Sequence, residues 1–265
     1  MRLADNTDKN RILQYVSEEP EFNLFFIGDI ENYGLEKAFC RCYMDEEKYR
    51  IKGLLLHYHR FLTPYTRFPS GKASKTLAKT IDTLIAKGAE TVSGKKEVID
   101  AIEHHLESKP VTTNNDYYAY CQDPQLMDGL PLKSVEFADE DDTDEIMDLF
   151  RRIPEFTPGD SNEEFRKSLK DGTRKTTIIK KDGRIVSTAS YTAENSNSAM
   201  IIGVATAPEG EHRKKGYASA CLTELLIDLS ERGKGAALFY DNPGAGSIYR
   251  KMGFKNIGQW KMLRF

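Results

Sequence analysis

A strand that runs into a basic, glycine-bearing turn and then directly into a helix leaves this chain little freedom of fold. The stretch is Val204-Ala-Thr-Ala-Pro-Glu-Gly-Glu-His-Arg-Lys-Lys-Gly-Tyr-Ala-Ser219. It continues an apolar run, passes a loop punctuated by Pro208, and turns through Arg213-Lys-Lys-Gly216. Ala218, Cys221, Leu222, Leu225, Leu226 and Leu229 then recur at three- and four-residue steps, and Glu231-Arg-Gly233 closes the pattern, which predicts an amphipathic helix. The first amides of a helix have no partner of their own and carry the positive end of its dipole. With cations beside them they suit an anion such as a pyrophosphate. Gly216 has no Cβ, so a phosphate can come close to the backbone there.

A second element follows. Ala236-Ala-Leu-Phe-Tyr240 reads as a short apolar strand, and Ala245, Ile248, Tyr249 and Met252 form one face of a helix after it. Arg213, Gly216 and Ala218 fit the pattern Arg/Gln-x-x-Gly-x-Gly/Ala. Asn242, Ala245, Tyr249, Gly253 and Phe254 fit Asn-x-x-Ala-x-x-x-Tyr followed by Gly-Phe. In this order, separated by a helix and a strand, they resemble the two signatures of the GCN5-related N-acetyltransferases, the GNAT superfamily. Four residues separate Pro208 from Arg213, where that family commonly has two.

The resemblance implies an α/β (α+β) fold, a mixed sheet flanked by helices, and acetyl-CoA as co-substrate. It implies that the donor lies between the strands ending near Thr206 and Tyr240. Backbone amides of Val204, Ala205 and Thr206 would hold the pantetheine arm and polarise the thioester carbonyl. The turn formed by Arg213, Lys214, Lys215, Gly216, Tyr217, Ala218 and Ser219 would hold the pyrophosphate through main-chain N–H groups, Lys214 and Lys215 adding charge. Asn242 would contact the pantetheine or adenosyl side. Tyr249 would give a proton to the departing thiolate, which a phenol with an ordinary pKa near ~10 can do for a thiol near ~8.5. An acceptor amine must itself lose a proton, and Asp241, Glu194 and Glu155 are base candidates by position only. The alternatives are a non-catalytic acyl-CoA-binding regulatory protein and a tandem-GNAT synthase of a small thiol or an aminoacyl conjugate.

The 265 residues suffice for two domains. Gln122-Asp-Pro-Gln-Leu-Met-Asp-Gly-Leu-Pro-Leu132, with two prolines and a glycine, is the clearest boundary. It suggests a first domain over 1–122, a linker over 123–132 and a GNAT acetyltransferase domain over 133–265. In the second, a strand at 133–138 leads into a helix opened by the acidic run Asp139–Glu145, where acidic groups suit the dipole. A helix over 161–170 and strands at 175–179, 184–191 and 198–206 follow, the first strand pair joined by a Lys180-Lys-Asp-Gly183 turn. The first half reads as a degenerate copy of this plan. It has helices near 7–18, 23–36, 72–87 and 95–107, strands at 38–44, 48–57, 91–92 and 111–121, and no Arg-x-x-Gly-x-Ala motif. Ser70-Gly-Lys-Ala-Ser74 lacks the upstream glycine of a P-loop.

Other classes are disfavoured. A net charge of −3 gives no basic footprint for nucleic acid. No apolar run approaches the ~20 residues that cross a bilayer, and the polar N-terminus does not read as a signal peptide. A cytoplasmic protein acting on a small-molecule or peptide amine is the expectation, with a homodimer left open. Cys40, Cys42, His57 and His59 carry zinc-type ligands. A hairpin turning near Asp45–Glu47 would set Cys40 opposite about residue 53, leaving His57 some ~13 Å along the strand, so no metal is expected.

Overall fold

The computed structural model describes residues 1–69, 71–154, 156 and 159–265. Ser70 and the base candidate Glu155 lie outside the described residues. The first half contains β1 (Arg2–Leu3), α1 (Lys9–Val16), α2 (Leu24–Tyr33), β2 (Cys40–Glu47), β3 (Arg50–Tyr58), β4 (Phe61–Tyr65), α3 (Gly71–Ile85), β5 (Thr91–Lys95), α4 (Lys96–Glu103) and β6 (Thr112–Cys121). The second contains β7 (Val135–Phe137), α5 (Thr143–Arg151), α6 (Asn162–Lys170), β8 (Arg174–Lys181), β9 (Arg184–Thr192), β10 (Ser198–Thr206), α7 (Tyr217–Glu231), β11 (Gly235–Tyr240), α8 (Pro243–Lys251) and β12 (Lys255–Arg264).

The chain divides into two compact units. Unit 1 is Met1–Tyr118 with Phe239–Asp241 and Asn256–Phe265; unit 2 is Ala119–Leu238 with Asn242–Lys255. In unit 1 the strands run β1-β2-β3-β4-β5-β12. The first three pairs are antiparallel and β4–β5 is parallel, α3 making the crossover. In unit 2 the order is β7-β8-β9-β10-β11. Again three antiparallel pairs precede one parallel pair, and α7 makes its crossover. Two helices separate the first and second strands of each sheet. The two units therefore repeat one mixed-sheet plan flanked by helices.

Side-chain alternation explains why each sheet is covered on both faces. On β3, Leu54 and Leu56 pack with Ile12, Val16, Phe26, Ile27 and Ile30 of α1 and α2. Leu55, pointing the other way, packs with Leu77, Ile81, Val98 and Ile102 of α3 and α4. Unit 2 has a more polar centre: Thr176, Thr177, Ser187, Thr188 and Ser190 are fully buried. Most of these hydroxyls are satisfied internally, with Ser187 donating to the Ala205 carbonyl at 2.6 Å and Thr177 to the Cys221 carbonyl at 2.8 Å.

The β2–β3 hairpin differs from the sequence expectation. It turns at Lys48 and Tyr49, both with positive φ (49° and 63°), as a two-residue turn between Glu47 and Arg50. Cys40 therefore faces Tyr58, and Arg41 faces His57. Cys40 and His57 are therefore close along the ladder, and the face each presents is what separates them. Cys40 and Cys42 point into the core, while His57 shares the opposite face with Arg41, so the thiols and the imidazole diverge. Among the described residues no group of three or more His, Cys, Asp or Glu could hold a metal ion.

Candidate active site

The site is built at the parallel edge of unit 2. β10 and β11 are registered over Ser198↔Gly235, Ala199↔Ala236 and Met200↔Ala237 only, although β10 continues to Thr206. On its other side β10 stays anchored to β9 as far as Thr206↔Ser187. Between Ile202 and Ala205 the register with β9 shifts, and Gly203 adopts φ +63° there. Such a bulge bends its strand and re-aims the backbone groups beside it. A side chain at 203 would need an unfavourable φ and would bring a Cβ to 3.1 Å from the Phe150 ring. Val204, Ala205 and Thr206 thus lie just past a bulge, on a strand whose ladder to β11 has ended. Gly203 belongs to no motif of the sequence. An isolated glycine inside a strand pattern was the available signal.

The loop leaving β10 absorbs the longer spacing between Pro208 and Arg213 in a turn at Gly210, φ +65°. Two left-handed residues follow, Lys214 at φ +63° and Gly216 at φ +77°. A non-glycine residue in that region is uncommon and marks a backbone constraint. Alternating handedness turns successive N–H groups into one concavity, an anion nest. α7 starts immediately afterwards, with Gly216 as its N-cap and no side-chain capping bond. Tyr217, Ala218 and Ser219 therefore begin a helix whose first amides no capping side chain fills. Arg213, Lys214 and Lys215 are exposed around this bend. Lys215 reaches Glu211 at 4.0 Å, and neither Arg213 nor Lys214 forms an ion pair among the described residues. Leu130 packs beneath, 3.0 Å from where a Gly216 Cβ would stand. Nothing in the sequence pointed to that contact.

The third piece is α8. Asn242 caps it, its side-chain carbonyl accepting from the Gly244 amide at 2.8 Å, and Pro243 occupies its first turn. The Asn242 Oδ1 is thus committed to the helix, and the residue is exposed. Tyr249 is half-buried on α8, its ring edge-on to Phe254 at 5.9 Å. Burial pushes its phenol up to about 12, so it stays protonated across the neutral range. Of the base candidates, Glu194 is ion-paired to both Arg232 and Lys234, and Asp241 is exposed.

Residues 134–257 match the family model for the acetyltransferase (GNAT) domain. This segment is a GNAT domain. Solved structures agree at the level of fold. A GCN5-related N-acetyltransferase from Sphaerobacter thermophilus superposes with a TM-score of 0.66 at 15% identity, over 100% of this chain and 94% of that one. One from Kribbella flavida gives 0.63 at 16% identity, over 91% and 95%. A tandem GNAT protein from the clavulanic acid biosynthesis pathway gives 0.58 at 10% identity, over 99% and 97%. No curated protein matches the chain. GNAT membership supports an acyl-CoA N-acetyltransferase in general terms, with acyl-CoA as co-substrate. No helix among the described residues is long and apolar enough to cross a membrane.

Proposed function

We infer that this protein transfers acetyl from acetyl-CoA to the amine of a small molecule or peptide. In this reading residues 133–265 carry the catalytic domain, 123–132 a linker, and 1–122 a degenerate GNAT-like domain, although Asn256–Phe265 groups with unit 1. The reading rests above all on the paired left-handed residues Lys214 and Gly216 at the uncapped start of α7.

In the proposed reaction the amine nitrogen attacks the thioester carbonyl carbon directly, within a ternary complex. Amides of Val204–Thr206 stabilise the oxyanion. As the carbon–sulfur bond breaks, the sulfur takes the Tyr249 proton, the ammonium formed at nitrogen loses one to a base or a water, and the tyrosinate recovers a proton from solvent. The products are an amide and free coenzyme thiol. A cytoplasmic setting and a homodimer are compatible with this reading, and neither carries it. Tyr249→Phe tests it: kcat falls about 10- to 100-fold while acetyl-CoA affinity is retained. A non-catalytic acyl-CoA-binding protein would show no turnover to lose.

A further inference from the structure

Unit 1 holds a carboxyl group that the rest of the unit does not use. Asp29 lies on α2 four residues before Tyr33, so the two side chains share one helix face. That face meets the start of β2 and the end of β3. The Cys40 thiol donates to the Asp29 carbonyl at 3.9 Å, and Cys40 faces Tyr58 in the ladder. Tyr58 stacks on Tyr33 with ring centres 5.7 Å apart. Phe39 stands edge-on to Tyr33 at 5.3 Å and to Tyr58 at 6.0 Å. His59 lies parallel to Phe39 at 5.0 Å. Burial raises both the Cys40 thiol and the Tyr58 phenol, and the Asp29 charge adds to both.

The Asp29 carboxylate has no hydrogen-bond or ion-pair partner among the described residues. Burial alone pushes it up to about 7. A half-buried carboxylate without a partner is costly, and a cation would relieve it. Rings attract cations through their faces, most strongly where water is excluded. Asp29, Tyr33, Phe39 and Tyr58 are half-buried and His59 is exposed, so the cluster opens to solvent. One carboxylate and two phenols fall short of the six or more oxygens a calcium ion takes. An organic cation, which needs ring surface more than oxygens, suits the donor set better.

We propose that the Asp29–Tyr33–Phe39–Tyr58 cluster of unit 1 binds an organic ammonium ion, its charge set between the carboxylate and the aromatic rings. This site is separate from the acyl-transfer reading and stands or falls without it. The test is calorimetric titration of the full chain with choline and with 3,3-dimethyl-1-butanol, its uncharged counterpart of the same shape. Choline should give saturable heat and the alcohol none. Asp29→Asn and Tyr58→Leu should each weaken choline about tenfold or more, with acetyl-CoA binding as the check that the rest of the chain is folded. Absence of saturable choline heat overturns the proposal. So does equal binding of the alcohol, which needs no variant to fold, and so does an unchanged affinity in a folded Asp29→Asn protein.

Discussion

Burial sets the protonation of the two side chains on which the proposals rest, Tyr249 and Asp29. In the proposed reaction Tyr249 gives up its proton; burial, which pushes the phenol up to about 12, keeps that proton in place across the neutral range while making the phenol a weaker acid. The activity attributed to it should therefore show no alkaline loss until the pH climbs above about 10, since the acid form persists to there. A kcat profile falling between pH 8 and 9 in the wild type would count against Tyr249 as the acid. Asp29 is raised from 3.8 to about 7 by desolvation. Its folded pKa lies above its unfolded one, so its stabilising contribution is complete below about pH 4 and is lost as pH rises to about 7. Asp29→Asn should accordingly leave denaturant stability nearly unchanged at pH 4 and raise it by roughly 1–2 kcal/mol at pH 8, a figure discounted for partial exposure. A variant less stable than wild type at pH 8 would mean that the carboxylate has a partner after all.

At the scale of elements, the proposed coenzyme site lies where regular structure is interrupted. β10 is bent at Gly203, and α7 begins at a left-handed glycine with no capping side chain. Gly216→Val would force a β-branched residue to φ +77° and against Leu130. The bend should open, and acetyl-CoA affinity should drop about tenfold or more. An unaltered affinity would mean that the bend does not hold the coenzyme. The helix and its basic turn were legible because period, glycine and cations coincide in one stretch. Asp182-Gly183 announced its hairpin in the same way, and both residues take positive φ. Lys48-Tyr49 makes a similar turn without glycine or asparagine, so the β2–β3 register was misread by several residues. β4 escaped notice because Pro64 argues against a strand. Pro64 nonetheless sits opposite Leu55 in the β3–β4 ladder, past the registered pairs that Phe61 and Leu62 make with β5.

The whole molecule is one plan used twice, with a distinction in its last strand. β12 follows the GNAT helices in sequence, yet Asn256–Phe265 belongs to unit 1. There Trp260–Arg264 pairs with Thr91–Lys95. Trp260 and Leu263 are buried, and Trp260 contacts Phe239 at 5.1 Å. No local pattern could disclose that pairing, because it joins segments some 170 residues apart in sequence. Removing Lys255–Phe265 should therefore unfold unit 1. Limited proteolysis of the shortened chain should cut within 1–118 before it cuts within 133–238, and the reverse order would contradict the assignment. The central claim is that the bend at Lys214–Gly216 takes a coenzyme diphosphate. Isothermal titration of the full chain with acetyl-CoA tests it most directly. Saturable one-to-one binding that Gly216→Val weakens is the predicted result, and titration without heat or thermal shift in the wild type would contradict it.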